Sequence, residues 1–142
     1  PDPRRFLYPL GSGTLGYAFP ASLGAAVALP GVPVLAVVGD GGFAYGMAEL
    51  ATARQYGLDT ALLVVDSGGY GILREYQLVA YGIEHEVDLV QPDFEGIAAA
   101  SGVSARVTNA ERLSHDLSWA ITQAGPTMVL LRERLVAAAA TP

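Results

Sequence analysis

The sequence predicts an α/β fold in three layers, α/β/α, with an open parallel sheet carrying helices on both faces. Two observations lead there. Val34-Leu35-Ala36-Val37-Val38 and Ala61-Leu62-Leu63-Val64-Val65 are short, wholly apolar, Val-rich runs bounded by Pro, Gly, Thr and Asp, the pattern of strands buried on both sheet faces. Between such runs lie stretches whose apolar residues recur three and four apart, the mark of helices with one face turned to a core. Strand alternating with helix gives parallel pairing and right-handed crossovers, and ligands of such sheets bind beyond the carboxyl ends of the strands.

Taken in order, a helix is predicted over residues 20–29, ahead of the first strand at 34–38. A second helix over 47–56 stops at Gly57 and leads to the strand at 61–65. Residues 92–101 form the third helix, with Asp93 and Glu95 supplying negative charge near Pro92, where the helix dipole favours it. Gly102 ends it, and residues 104–107 make the third strand. Asn109 then reads as the N-cap of a helix over 110–124, with Glu111 in its first turn. Gly125-Pro126 announces the last strand, 128–131. The Ala-rich tail, 137–142, is expected to be flexible.

A chain of 142 residues suits one domain with a real core, so residues 1–142 are expected to form a single unit. Hydrophobic residues make up 51%, charged ones 15%, and the mean hydropathy is +0.36. That is more apolar than a free-standing soluble domain, so part of the surface is expected to meet a partner. Gly, Pro, Asp and Glu interrupt every apolar run before the roughly eighteen residues a membrane span needs. The net charge of −6 lacks the basic footprint of a nucleic-acid binder. With no cysteine there is neither a disulfide nor a thiolate metal site. The opening Pro1-Asp2-Pro3-Arg4-Arg5 has no signal-peptide pattern, so a cytoplasmic location is expected. A start at Pro rather than Met suggests a chain either processed or cut from something longer, and the second is expected.

The first strand runs into Gly39-Asp40-Gly41-Gly42-Phe43, expected to be a tight glycine turn with a helix opening a few residues later. Glycines let backbone N–H groups approach an anion, while a carboxylate among them holds a hard cation that neutralises it. The second strand ends in Val65-Asp66-Ser67-Gly68-Gly69-Tyr70-Gly71, another polar glycine-rich turn at the same sheet edge. A lone Gly-Asp-Gly is a common turn with a solvated Asp. Two such turns, with Asp40 and Ser67 27 residues apart, are expected to face one crevice.

These segments resemble the metal and diphosphate motif of thiamine-diphosphate enzymes, in particular the C-terminal cofactor domain of the acetolactate synthase, pyruvate oxidase and 2-oxoacid decarboxylase group. Gly11-Ser12-Gly13-Thr14-Leu15-Gly16-Tyr17-Ala18-Phe19-Pro20-Ala21 is similar to that group's segment around the aminopyrimidine. The resemblance implies a thiamine-diphosphate site built from Gly13, Thr14, Leu15, Gly39, Asp40, Gly41, Gly42, Ser67, Gly69, Tyr70, Gly71 and Ile72. Asp40, Ser67 and the Gly69 carbonyl would ligate Mg²⁺. Gly41 and Gly42 would offer N–H groups to the diphosphate, with Ile72 a further backbone contact. The Gly13 carbonyl would accept from the pyrimidine amino group, and Leu15 would bend the cofactor so that this group approaches the thiazolium, a proximity effect.

One departure stands out. The family usually carries Asn-Asn where this chain has Asp66-Ser67, and Ser67 is the shorter and weaker ligand; Asp66 is a candidate to compensate with charge. The resemblance also implies that the activating Glu comes from a pyrimidine-binding domain of the same enzyme or a neighbouring subunit, so that no catalytic residue is expected in this chain and a homo-oligomer is. The implied reaction is decarboxylation or carboligation of a 2-oxoacid, with Ile72 and Leu73 walling the substrate within residues 70–86. Two other readings stay open: a noncatalytic assembly domain with a weakened metal site, and a generic nucleotide-binding α/β domain, whose Gly-x-Gly-x-x-Gly order the chain lacks. Glu49, His85 and His115 read as helix-dipole, loop and surface residues, and Trp119, Phe94, Phe6 and Tyr8 as packing or interface groups.

Overall fold

The computed structural model describes residues 5–135. Four strands, β1 (Val34–Gly39), β2 (Thr60–Val65), β3 (Ser104–Thr108) and β4 (Thr127–Leu131), form one sheet in the order β1-β2-β4-β3, every pair parallel. The central β2 and β4 are buried almost throughout, as their wholly apolar sequences require. The fold class is the one the sequence predicts, and each strand lies within a residue of its expected place.

The helices are α1 (Ala18–Ala28), α2 (Asp40–Ala44), α3 (Glu49–Gln55), α4 (Gly71–Tyr81), α5 (Phe94–Ala100) and α6 (Leu113–Thr122). One sheet face packs Ala36, Val38, Leu62, Val64, Met128 and Leu130 against Phe19 and Leu23 of α1, Phe43 of α2, Leu50 and Ala53 of α3, and Phe94 and Ala98 of α5. The opposite face packs Ala61, Leu63, Val129 and Leu131 against Ala120 of α6, flanked by Leu113, Leu117 and Trp119. Each fully buried side chain of this size contributes about 1.5–3 kcal/mol of transfer free energy. The Asp93 side chain caps α5 by accepting from the Gly96 N–H, and Asn109 accepts from the Arg112 N–H where the chain turns toward α6.

Two helices were not anticipated. The expected glycine turn after β1 is itself helical: Gly39, with an extended backbone, is the N-cap, and α2 begins at Asp40. The chain after the second loop continues directly into α4, eleven residues long. Among the described residues no helix is long and apolar enough to cross a membrane. The expected flexible tail, 137–142, lies outside the described residues.

Candidate functional site

Because β1 and β2 pair with Gly39 opposite Val65, their carboxyl ends are level and the segments that follow start side by side. Asp40, in the first turn of α2, is the point where they meet. Its carboxylate is 2% exposed. Oδ2 accepts from the Ser67 N–H at 3.2 Å, the Gly69 N–H at 2.9 Å and the Gln91 side-chain amide at 2.8 Å, and Oδ1 accepts from the Gly41 N–H at 2.8 Å. A buried carboxylate is tolerated when its lone pairs are met in this way. The start of α2, the loop after β2 and the segment before α5 therefore meet at one carboxylate.

The backbone around Gly69 is held open for this. Gly69 pairs with Asp88 in an antiparallel bridge, and the Tyr70 N–H donates to the Val87 carbonyl. Below it the buried Arg74 of α4 forms ion pairs with Asp88 and with Glu84. A Cβ on Gly41 would come within 2.6 Å of the Tyr70 ring, so the glycine is what lets that ring lie against the start of α2. The Tyr70 hydroxyl is pushed above the usual tyrosine range, first by the neighbouring Tyr45 phenol, then by desolvation and by the Asp40 charge. It therefore stays protonated at neutral pH.

All twelve residues expected at the site line one open cleft of about 1580 Å³. Residues 13–15 form one wall, with the Leu15 side chain leaning toward Gly42. Gly39, Asp40, Gly41 and Gly42 line the cleft together with Ser67, Gly69, Tyr70, Gly71 and Ile72, and Leu73 adds further apolar surface. The Gly41 N–H, expected to face a phosphate, is engaged by the Asp40 side chain. Asp66 turns elsewhere: its carboxylate lies 3.8 Å from Arg132.

Ser67 Oγ donates to the Gly69 carbonyl at 3.2 Å, and the backbone N–H groups of the same two residues reach the Asp40 carboxylate. The three expected metal ligands are a carboxylate, a hydroxyl and a carbonyl, a set suited to a hard cation. No group of three His, Cys, Asp or Glu that suits a metal occurs among the described residues. Gln91 was missed in the sequence. Its contact spans 51 residues, and the only local sign is its place before Pro92, which turns the chain into α5.

The remaining candidates fall where packing puts them. Glu49 opens α3. His85 exchanges backbone hydrogen bonds with the Gln77 side chain. His115 is largely exposed but touches Asp116 at 3.2 Å. Trp119 lies under the Arg106 guanidinium, 3.9 Å from its ring centre. Phe94 is in the core, while Phe6 and Tyr8 stack on each other at the surface.

Comparison with known proteins agrees with this geometry. The family described as "Thiamine pyrophosphate enzyme, C-terminal TPP binding domain" matches residues 1–131. The chain is 36% identical over 130 residues to a probable acetolactate synthase large subunit of Methanocaldococcus jannaschii, covering 89% of this chain and 22% of that protein. It is 39% identical over 136 residues to a probable 2-ketoarginine decarboxylase of Pseudomonas aeruginosa, covering 92% and 24%. Among solved structures, a thiamine diphosphate-dependent 4-hydroxybenzoylformate decarboxylase of Rhodococcus jostii superposes with a TM-score of 0.74 at 31% identity, covering 85% of this chain and 23% of that one. The chain thus spans less than a quarter of the length of these relatives. With a family match over almost its whole length and a cleft at the carboxyl ends of β1 and β2, the chain belongs to the C-terminal TPP-binding domains of the thiamine pyrophosphate enzymes.

Proposed function

We propose that this chain binds the diphosphate end of thiamine diphosphate together with Mg²⁺, as the cofactor domain of a decarboxylase or acetolactate synthase-like carboligase acting on a 2-oxoacid. The single observation that carries the reading is the closing of the segments after β1 and β2 on Asp40, through the N–H groups of Ser67 and Gly69. One donor pair has a spacing compatible with the ion. Adjacent ligands of an octahedral Mg²⁺ with bonds of 2.0–2.1 Å stand about 3 Å apart, and Ser67 Oγ and the Gly69 carbonyl are 3.2 Å apart. Asp40, Ser67 and Gly69 would hold the metal, and Gly42 and the opening of α4 would border the diphosphate. When bound, the cofactor supplies an acidic carbon that adds to the keto group of the substrate.

This chain's own residues then bind and orient. Asp40 contributes the charge that a metal–diphosphate pair needs, Leu15 occupies the wall against which the cofactor bends, and Ile72 and Leu73 give an apolar border that favours a substrate with an apolar side. The group that activates the pyrimidine, a Glu from a pyrimidine-binding domain of the same enzyme or a neighbouring subunit, completes the site.

Calorimetric titration of the full-length protein with thiamine diphosphate tests this. Binding is expected to require Mg²⁺ and to weaken at least about tenfold in Asp40→Ala, with CO₂ release from a panel of 2-oxoacids lost in parallel. Cofactor binding that is indifferent both to Mg²⁺ and to that substitution would overturn the proposal. It would favour the noncatalytic assembly reading in its place.

A further inference from the structure

We propose that Gln91 is a positioning residue that holds Asp40 as a one-oxygen ligand and thereby sets a preference for Mg²⁺ over Ca²⁺; the inference rests on the cofactor-site reading. Gln91 reaches Asp40 from the segment between α4 and α5, and its Nε2 donates to Oδ2 at 2.8 Å. The reverse orientation of the amide would set its carbonyl oxygen against a carboxylate oxygen, two acceptors with no proton between them, so the donor orientation is the one chemistry allows.

The distribution of donors over the two oxygens is unequal. Oδ2 receives three N–H groups, from Ser67, Gly69 and Gln91, against about two lone pairs. Oδ1 receives one, from Gly41. Oδ1 is therefore the less crowded oxygen and the one more open to a cation. Of the three donors on Oδ2, Gln91 is the only side chain, so it is the one whose removal leaves the loop backbone as it is.

A carboxylate fixed in this way discriminates between ions. Mg²⁺ demands near-ideal octahedral geometry with short single-oxygen contacts, whereas Ca²⁺ accepts carboxylates through both oxygens at 2.3–2.6 Å. With Gln91 in place, a third N–H group on Oδ2 holds the carboxylate against rotation, and two-oxygen ligation is disfavoured. Without it, one N–H fewer holds the carboxylate, which gains freedom to rotate and offer both oxygens, to the advantage of the larger ion.

The test uses the full-length protein with saturating thiamine diphosphate, titrated separately with Mg²⁺ and with Ca²⁺ by calorimetry. The variants are Gln91→Met, which keeps the length of the side chain and removes the donor, and Gln91→Ala, which supports the same comparison if the methionine does not pack. The affinity for Mg²⁺ is expected to fall about tenfold or more, the range found for partners of metal ligands, while that for Ca²⁺ holds or rises. The ratio of the two affinities therefore falls by at least the same factor. An equal loss for both ions would mean that Gln91 merely braces the fold, and no loss for either would mean that it has no part in the site; both results overturn the inference. Failure of the unaltered protein to bind Mg²⁺ at all would overturn the cofactor-site reading itself, and is told apart by that control.

Discussion

A carboxylate as buried as Asp40 is tolerated because four N–H groups meet its oxygens, and one of those groups depends on a backbone shape that only glycine takes easily. Gly69 has a φ of +149°, and a Cβ there would lie 2.2 Å from the Val87 carbonyl oxygen and 3.1 Å from the Asp88 Cα. Gly69→Ala must therefore break the bridge to Asp88 and withdraw its N–H from Asp40. Strain of this kind costs on the order of 1–3 kcal/mol. Hydrogen exchange read by mass spectrometry is expected to show lost protection at residues 67–70 and 87–89, with the sheet strands unchanged; wild-type protection at those amides would refute the argument. Asp40 and Gly69 were legible in the sequence because two glycine-rich polar turns end successive apolar runs and together resemble a family motif, whereas either turn alone has a bland structural explanation. Gln91 was not, since its role depends on the path of a segment whose own residues carry no periodicity. Asp66 could be read for its charge but not for its direction, which the competing cation of Arg132 decides.

At the scale of elements, α2 is too short to be stable as an isolated helix, and the side chain that anchors it is Phe43. That ring meets Phe19 of α1 and Phe94 of α5 edge to face, with centroids 6.0 and 5.4 Å away. Phe43→Ala is expected to cost about 3–5 kcal/mol in urea denaturation, and because α2 carries Asp40 the affinity for Mg²⁺ and cofactor should fall with it; a loss confined to stability would show that α2 keeps its place without the ring. A second anchor ties α6 to the edge strand β3. The wholly buried Asp116 accepts from the Thr108 hydroxyl at 2.7 Å and has Arg106, Arg112 and His115 around it. Its carboxyl is held below the usual carboxylate range, chiefly by Thr108; burial opposes this, while His115, Arg112 and Arg106 reinforce it. A folded-state value below the ordinary 3.8 means that the unfolded chain binds the proton more readily. The stabilisation is thus present above that pH and lost as the pH falls through the folded value. Thr108→Val is expected to lower the melting temperature fully at pH 7, with the gap to wild type narrowing below about pH 4; a gap constant down to pH 3 would exclude this origin. The strands and four of the helices were legible because they bury the apolar residues that define them. The helix α2 was hidden by Gly41 and Gly42, each about 1 kcal/mol poorer than Ala in a helix. The helix α4 was hidden differently: Ile72, Tyr76 and Val79 repeat at helical spacing, yet all three face outward and the one buried side chain is Arg74, so no expected core claimed them.

For the molecule as a whole, the apolar bias in the composition has a location. On β1 the side chains of Ala36 and Val38 enter the core beneath α1, which leaves Leu35 and Val37 on the opposite face, 42% and 56% exposed. There α6 covers β2 and β4 and not β1. Val79 of α4 and Leu10 are barely covered at all, at 88% and 91%. Together with a span of less than a quarter of the relatives' length, this uncovered face accounts for a mean hydropathy above that of a free-standing domain. The net charge of −6 opposes association only over a Debye length of about 8 Å at physiological salt, too short a reach to keep apolar faces apart. The chain by itself is therefore expected to associate in a concentration-dependent way and to elute in size-exclusion chromatography with light scattering above its 14.7 kDa. Replacing Leu35 and Val37 together by Lys puts two charges on the uncovered face of an edge strand, a device by which edge strands resist pairing. That variant should move toward the monomer mass with its far-UV circular dichroism unchanged, because neither side chain supports the core. A monomer at all concentrations before any substitution would show that the exposed apolar surface is too dispersed to hold a partner.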